Sequence, residues 1–494
     1  MHPPMRVLKP ILHNAIFSPL RTAIVDDQRS WKAITLYIAA LHLARRIRRT
    51  TDRPHVGFML PTSGLAPLAI MATWLLGKTT VPLNYLLRGE DLAYVIDDAE
   101  LDAVITVKPM IDHFGDLPGH VKQIRLDEMS FRGLPPLRRA ARRADDHLAA
   151  LVYTSGTSGR PKGVMLTSGN LAANVRQCVR WAGFTREDVM LGVLPQFHSF
   201  GLTVLTLVPL SVGCEVIYTA RFMPKKILEL LKEHRPTAFI GIPSMFNALL
   251  SAKSATPEHF SSLKWIVSGS EPLPKAVFRG FKERFGVNIN EGYGLTETSP
   301  VTNWCQPQNH REHSVGKALP EVQMKIVSPT GQRLGPGEEG EICFKGPNVM
   351  PGYHKMPKET AEVFDEEGYF RTGDMGKVDE DGHLYITGRI KEMLIIGGEN
   401  VFPREIEEVL NAHPAVDASV VIGMQDESRG EVALAFVELK EGAEFDETEL
   451  RSFCRQRLAQ FKVPREIRAL ERLPRNPTGK LMRRELTAHT KGRE

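Results

Sequence analysis

Cysteine is scarce in this chain of 494 residues: Cys178, Cys214, Cys305, Cys343 and Cys454 are widely scattered and form no C-x-x-C pair. That pattern points to neither a zinc ribbon nor a disulfide framework and fits a reducing, cytoplasmic setting. Long apolar runs are also missing. The longest, residues 65–76 and 202–212, fall short of the ~18 residues that a bilayer-spanning helix needs and read as core helices. Pro3, Pro4, Pro10 and His13 interrupt the N-terminal stretch, which argues against a signal peptide. Charge of one sign is not in large excess, since 63 Lys and Arg against 58 Asp and Glu leave +5. Such a surplus suits anionic substrates and is too small to imply nucleic acid, for which no motif is visible. Internal repeats and long low-complexity segments are absent. What is plentiful is apolar content, 42%, enough for sizeable cores in two or three domains.

The densest chemistry lies at residues 153–163, YTSGTSGRPKG. Glycines let the backbone aim N–H groups at one point, and the hydroxyls with Lys162 add donors for an anion. A Walker A loop is excluded: Pro161 and Gly163 flank Lys162 where G-x-x-x-x-G-K-[ST] needs other residues. Such a stretch alone is also what a flexible connector looks like. Its context is more telling. Residues 147–152 read as a buried strand, and Leu171, Val175, Cys178 and Val179 fall at helical spacing after a capping Thr167 or Ser168. A strand, glycine loop and helix in that order is the expected phosphate-binding arrangement.

Elsewhere, strand-like runs at 189–194, 215–218, 238–242 and 265–267 alternate with helical patterns at 224–234 and 274–285, each led by proline. These βα units predict a largely parallel sheet covered by helices. Near Gly316 the composition shifts to short strands, 322–327, 340–344 and 383–386, joined by turns such as Pro329-Thr330-Gly331. After Gly388-Arg389 comes a helix with Ile406, Val409 and Leu410, strands around Ser419 and Ala433, and a helix over 447–458. The basic clusters at 45–49 and 138–143 read as solvated helix ends, the alternative being contact with anionic lipid or a phosphorylated partner.

YTSGTSGRPKG resembles the signature of the adenylate-forming superfamily, which contains acyl-CoA synthetases, peptide-synthetase adenylation domains and beetle luciferases. LPQFHSFG at 194–201, NEGYGLTET at 290–298, YFRTGD at 369–374, GRIKEMLIIGGENVFPREIE at 388–407 and PRNPTGKLMRREL at 474–486 follow in that family's order. The resemblance implies an α/β fold. A large N-terminal AMP-binding domain over 1–390 carries βα-type sheets covered by helices and a β-rich subdomain at about 316–390. A small, mobile α+β domain over 391–494 follows.

The implied chemistry is carboxylate activation. A carboxylate is a poor electrophile, and attack on the α-phosphate of ATP expels pyrophosphate to leave an acyl-adenylate that a thiol can attack. By resemblance, Thr154, Ser155, Gly156, Thr157, Ser158, Gly159 and Lys162 hold the outgoing phosphates, with Lys162 a mobile cation. Tyr293 and Gly294, with Ser270 and Glu271, border the adenine. Thr296 donates to the α-phosphate, while Glu297 and Thr157 serve Mg²⁺, which prefers hard oxygens. Taken alone, Tyr293 reads equally as a turn anchor and the Thr296-Glu297 pair as a helix cap. Asp374 suits the paired ribose hydroxyls, with Arg389 its neighbour, although aspartate after glycine is also an ordinary turn residue. His198 is a gate between the ATP and acyl sites, or else a core histidine beside Phe197 and Phe200. Gly269 and Gly292 keep the acyl wall open, and Gly397 and Gly398 line a pantetheine path. Lys480 bridges carboxylate and α-phosphate in the transition state, and Lys391 is the hinge about which the small domain turns between half-reactions.

No carrier or condensation domain is evident, which favours a free-standing ligase over a peptide-synthetase module. LPQFHSFGLTV, SVGKALPEVQMKI and FKGPNVMPGY resemble enzymes of long-chain acids, including bacterial acyl-carrier-protein synthetases. The expectation is a medium- or long-chain fatty acid, ATP and coenzyme A as substrates, with at most peripheral membrane contact. Acyl carrier protein as the thiol acceptor is one alternative. A non-catalytic nucleotide or acyl-adenylate binder is the other, although a pure binder has no need of Lys480.

Overall fold

The computed structural model describes residues 4–87, 89–135, 138–154, 160–426, 430–475 and 481–486. Among these, strands assemble into four sheets. The largest runs in the order Lys317–Ala318, Val301–Trp304, Asn290–Gly294, Trp265–Ser268, Ala238–Gly241, Val189–Gly192, Glu215–Tyr218, Thr22–Val25 and Ser30–Lys32. Its six central strands are parallel, and antiparallel strands close both edges. Ala238–Gly241 and Trp265–Ser268 are buried at every position. Such continuous apolar runs are what a parallel sheet covered on both faces demands.

The second sheet orders Lys122–Arg125, Ala103–Thr106, His55–Met59, Thr79–Pro82, Leu148–Thr154 and Lys162–Thr167. All neighbours are parallel except the last two, which pair antiparallel from Leu148 opposite Thr167 to Thr154 opposite Lys162. The expected order of strand, glycine loop and helix is therefore corrected. The loop joins the two arms of a β-hairpin, and the helix Ser168–Ala182 starts only after the second arm. Its N-terminus, capped by Thr167 and Asn170 in a reciprocal box, lies at the far end of that arm from the loop. The dipole of this helix cannot serve an anion held by the loop. The signal missed was KGVMLT at 162–167, whose alternation buries Gly163, Val164 and Leu166.

Helix starts follow their sequence signals. Pro224 opens Pro224–His234, and Pro274 caps Lys275–Phe285, where a fixed φ is preorganised and no N–H is lost. The helix Leu65–Leu75 is buried at all but its first residue. It is a core helix, and among the described residues no helix is long and apolar enough to cross a membrane.

The β-rich subdomain is a four-stranded antiparallel sheet ordered Gln323–Val327, Gly340–Lys345, Phe370–Val378 and Leu384–Arg389, around a core of Val315, Ile326, Ile342, Phe344 and Leu384. The C-terminal unit packs the helices Pro403–Asn411 and Glu447–Arg455 on a sheet led by Val416–Asp426 and Gly430–Leu439. All five cysteines are buried and free, and burial pushes the Cys178 and Cys214 thiols up to about 12. Neither is poised as a nucleophile.

Candidate active site

Parallel sheets place ligands at the carboxyl ends of their strands, and four segments of interest leave such ends. Residues 194–201 follow Val189–Gly192, residues 269–273 follow Trp265–Ser268, residues 296–298 follow Asn290–Gly294, and the glycine loop follows Leu148–Thr154. Gly294 is required where it stands: a Cβ there would lie 1.8 Å from the Pro300 carbonyl oxygen. That contact folds the chain back so that Thr296 and Glu297 face the strand ends. The Thr296 and Ser199 hydroxyls lie 3.0 Å apart in a buried hydrogen bond, which ties the 290–298 segment to the 194–201 segment. His198 is exposed and caps the helix Ser199–Leu202, its Nδ1 accepting from the Phe200 N–H at 3.4 Å. It is not a core histidine. A Cβ on Gly269 would meet the Phe200 ring at 3.0 Å, while Gly292 has room on both sides. Ser270 holds a left-handed φ of 74° and is exposed beside the half-buried Glu271.

A second chain of contacts runs through Asp374. The Tyr293 hydroxyl donates to its Oδ2 at 2.6 Å, and Arg389 Nε meets its Oδ1 at 2.8 Å. The pairing is set by register, because Asp374 and Arg389 are direct partners on neighbouring strands. Burial, then the Asp374 charge, pushes the Tyr293 hydroxyl well above its ordinary range, so it stays a donor. Asp374 holds Arg389 firmly protonated.

Glu297 is half-buried, and burial raises its carboxyl above the usual range. Its Oε1 accepts from the Tyr353 hydroxyl at 2.9 Å. Lys162 Nζ in turn sits 5.1 Å from the centre of the Tyr353 ring. Tyr353 is carried there by a short backbone pairing, with the His354 N–H on the Gly163 carbonyl at 2.7 Å and the Met165 N–H on the Gly352 carbonyl at 3.2 Å. Motif reading passed over Tyr353 and Ser199, although both lie inside quoted segments.

Ser155, Gly156, Thr157, Ser158, Gly159 and Lys480 lie outside the described residues; Thr154 ends its strand at the loop. Gly397 and Gly398, at φ 62° and 88°, form the tip of the hairpin between Leu394–Ile396 and Glu399–Val401. Two successive left-handed residues are what a two-residue hairpin turn requires, whatever else passes there. Lys391 is exposed in the single 3₁₀ turn Ile390–Glu392.

A group unsuspected from sequence is Glu291, one residue before Gly292 and 6% exposed. Its Oε2 accepts from the Leu273 N–H at 3.3 Å. Across from it stands the C-terminal unit, whose Glu408 Oε2 is met by Nζ of Lys275, from the helix Lys275–Phe285, at 3.1 Å and whose Arg404 Nε meets Glu408 Oε1 at 3.2 Å. Burial pushes the Glu291 carboxyl up to about 7, with Glu408 adding to the rise while Arg404 and the Leu273 N–H oppose it. An unfolded glutamate titrates near ~4.3. Stability from the neutral form is thus complete below that value, declines as pH rises towards about 7, and is then constant. Glu291→Gln should flatten this dependence, matching the parent at pH ~4 and exceeding it by up to about 3 kcal/mol at pH ~8. Thermal melts of both proteins across that range check the sign.

Residues 13–354 match the family model described as AMP-binding enzyme, and residues 405–480 match AMP-binding enzyme C-terminal domain. The long-chain-fatty-acid–CoA ligase of Bacillus subtilis (strain 168) is 42% identical over 69% of this chain and 61% of its own length. This chain thus spans less than two thirds of that relative. A feruloyl-CoA synthase of Amycolatopsis sp is 31% identical over 96% of this chain and 97% of its own. ATP-bound MatB from Rhodopseudomonas palustris superposes with a TM-score of 0.91, at 32% identity and 99% coverage of both chains. The apo crystal structure of that protein, at the same identity and coverage, gives 0.80. The chain belongs to the AMP-binding enzyme family.

Proposed function

We propose that this protein joins a medium- or long-chain fatty acid to coenzyme A through an acyl-adenylate. The observation that carries the proposal is the convergence at the strand ends of Thr296, Glu297 and Lys162 with the Tyr293–Asp374–Arg389 chain. An anhydride-forming ligase needs cations and donors for the phosphates, a hard oxygen for a divalent ion and a ribose acceptor. These residues supply that set. The fatty acid rests on the 42% identity to the Bacillus ligase, against relatives named for feruloyl and sulfoacetate acids.

In this mechanism the fatty carboxylate attacks the α-phosphate, pyrophosphate leaves, and Thr296 and Lys480 stabilise the charge gathering on the α-phosphate oxygens. Asp374 holds the ribose hydroxyls. The thiolate of coenzyme A then attacks the acyl carbon and AMP departs. Glu297, an oxygen donor at the strand ends with one oxygen fixed by Tyr353, fits Mg²⁺, and Thr157 would join it. When bound, the ion neutralises phosphate charge. Purified protein with Mg-ATP and acids of graded length should release AMP with a maximum at one length, and faster with coenzyme A. Release independent of the acid contradicts the proposal. Asp374→Ala removes two donors' partner at once and should raise the KM for ATP at least about tenfold, with the acid's KM little changed.

One observation favours a second acceptor. Arg138 lies close enough to Arg48 for that charge to help lower its pKa, behind the larger effect of burial, so the two basic clusters approach each other at these two residues. An acidic carrier protein bearing a phosphopantetheine thiol suits them. Reversing Arg45 and Arg48 to glutamate should then slow turnover with acyl carrier protein and leave coenzyme A turnover intact.

A further inference from the structure

Tyr353 touches both ends of the proposed phosphate machinery. Its hydroxyl donates to Glu297 Oε1 at 2.9 Å, and its ring face carries Lys162 Nζ at 5.1 Å. The residue is 7% exposed. Its backbone is fixed independently of the site. Besides the pairing with the 162–167 arm, the Tyr353 N–H donates to the Thr360 hydroxyl at 2.9 Å, and Gly352 has room for no Cβ, its nearest Thr360 atom lying 2.5 Å away. Glu297 is fixed from the same segment, since the Met350 N–H donates to the Glu297 carbonyl at 2.8 Å.

We propose that Tyr353 is a positioning residue that presents Glu297 to the divalent ion through its hydroxyl and seats Lys162 on its ring until phosphate arrives. One oxygen of Glu297 is held by Tyr353, which directs the other at a cation. A buried carboxylate with free rotation would instead sample several orientations, and the ion would have to order it. The ring supplies Lys162 with a local attraction on the order of 1 kcal/mol, enough to hold the ammonium near the site and small enough to release it to a polyphosphate. The glycine-loop lysine and the metal carboxylate, 135 positions apart in sequence, then share one support.

The inference rests on the adenylation reading, and its two limbs separate with two variants. Tyr353→Phe keeps the ring and deletes the hydroxyl; Tyr353→Leu deletes both. In Y353F the Mg²⁺ concentration for half-maximal AMP release should rise about tenfold, the loss expected for a hydrogen bond to a charged group, with the KM for acid unchanged. Calorimetric titration should show the same variant losing most of the gain in ATP affinity that Mg²⁺ confers on the parent. Tryptic cleavage after Lys162 should proceed at the parental rate in Y353F and several-fold faster in Y353L, thermal midpoints confirming that both variants fold. A parental magnesium response in Y353F overturns the first limb, and equal cleavage of the two variants overturns the second. Absence of acid-dependent AMP release from the parent itself would instead remove the adenylation reading.

Discussion

Lys480→Ala should lose about 10²- to 10³-fold in the rate of acyl-adenylate formation, the effect of removing a transition-state donor. The attacking carboxylate and the α-phosphate are both anions, and negative charge accumulates between them as the bond to pyrophosphate breaks. A point cation on a long stem offsets that charge where no other group of the site is expected to reach it. Lys480 lies outside the described residues. Arg483, three positions on, meets Glu392 Oε2 at 3.2 Å and Glu407 Oε2 at 2.8 Å and donates to the Val421 carbonyl at 2.8 Å. Residue 483 is thereby tied to the sheet and helix of the small domain. Thiolysis of supplied acyl-adenylate should proceed near the parental rate in this variant. Equal loss in both half-reactions, measured by pyrophosphate release and by thioester formation, contradicts the assigned role.

Lys391→Pro should show the opposite split. Residue 389 is paired to Asp374 of the β-rich subdomain, whereas residue 392 is paired to Arg483 of the C-terminal unit. Lys391 is the exposed residue between these anchors, in a single 3₁₀ turn. This supports a boundary between 390 and 391. Proline fixes its own φ and restricts the residue before it, so a large rotation about this position is hindered. Adenylate formation should stay close to the parent's while thioester release falls at least about tenfold. The arrangement described resembles ATP-bound MatB more than its apo form, which is the conformer proline should trap. Normal rates for both steps would remove the need for a hinge at this position.

Much of the fold was legible because its periodicities are local. The parallel strands of the large sheet are short apolar runs bounded by turn residues, and the proline-led helices begin where proline sits. Among the strands that escaped, two show the physical reason. Lys162–Thr167 follows a glycine loop directly, and its buried Val164 and Leu166 alternate over too few positions to stand out from that loop. Phe370–Val378 contains Arg371, Thr372, Gly373 and Asp374, a polar run with Gly373 at φ 71°, so its strand character comes from neighbours on both sides rather than from alternation. The site divides in the same way. Thr296, Glu297, Asp374 and Arg389 can be named as candidates from sequence because they sit in contiguous motifs. Tyr353 and Glu291 cannot be, since their significance is a contact with a distant residue. The two basic clusters were read separately as helix ends; segment 138–143 forms no helix, and folding brings Arg138 beside Arg48.

The most direct measurement is isotopic. The fatty acid, labelled with oxygen-18 in its carboxyl group, is turned over with Mg-ATP and coenzyme A, and AMP and pyrophosphate are analysed by mass spectrometry. Attack of the carboxylate on the α-phosphate, followed by thiolysis at the acyl carbon, leaves one labelled oxygen in AMP and none in pyrophosphate. Label in pyrophosphate or orthophosphate, with AMP unlabelled, would contradict an acyl-adenylate intermediate.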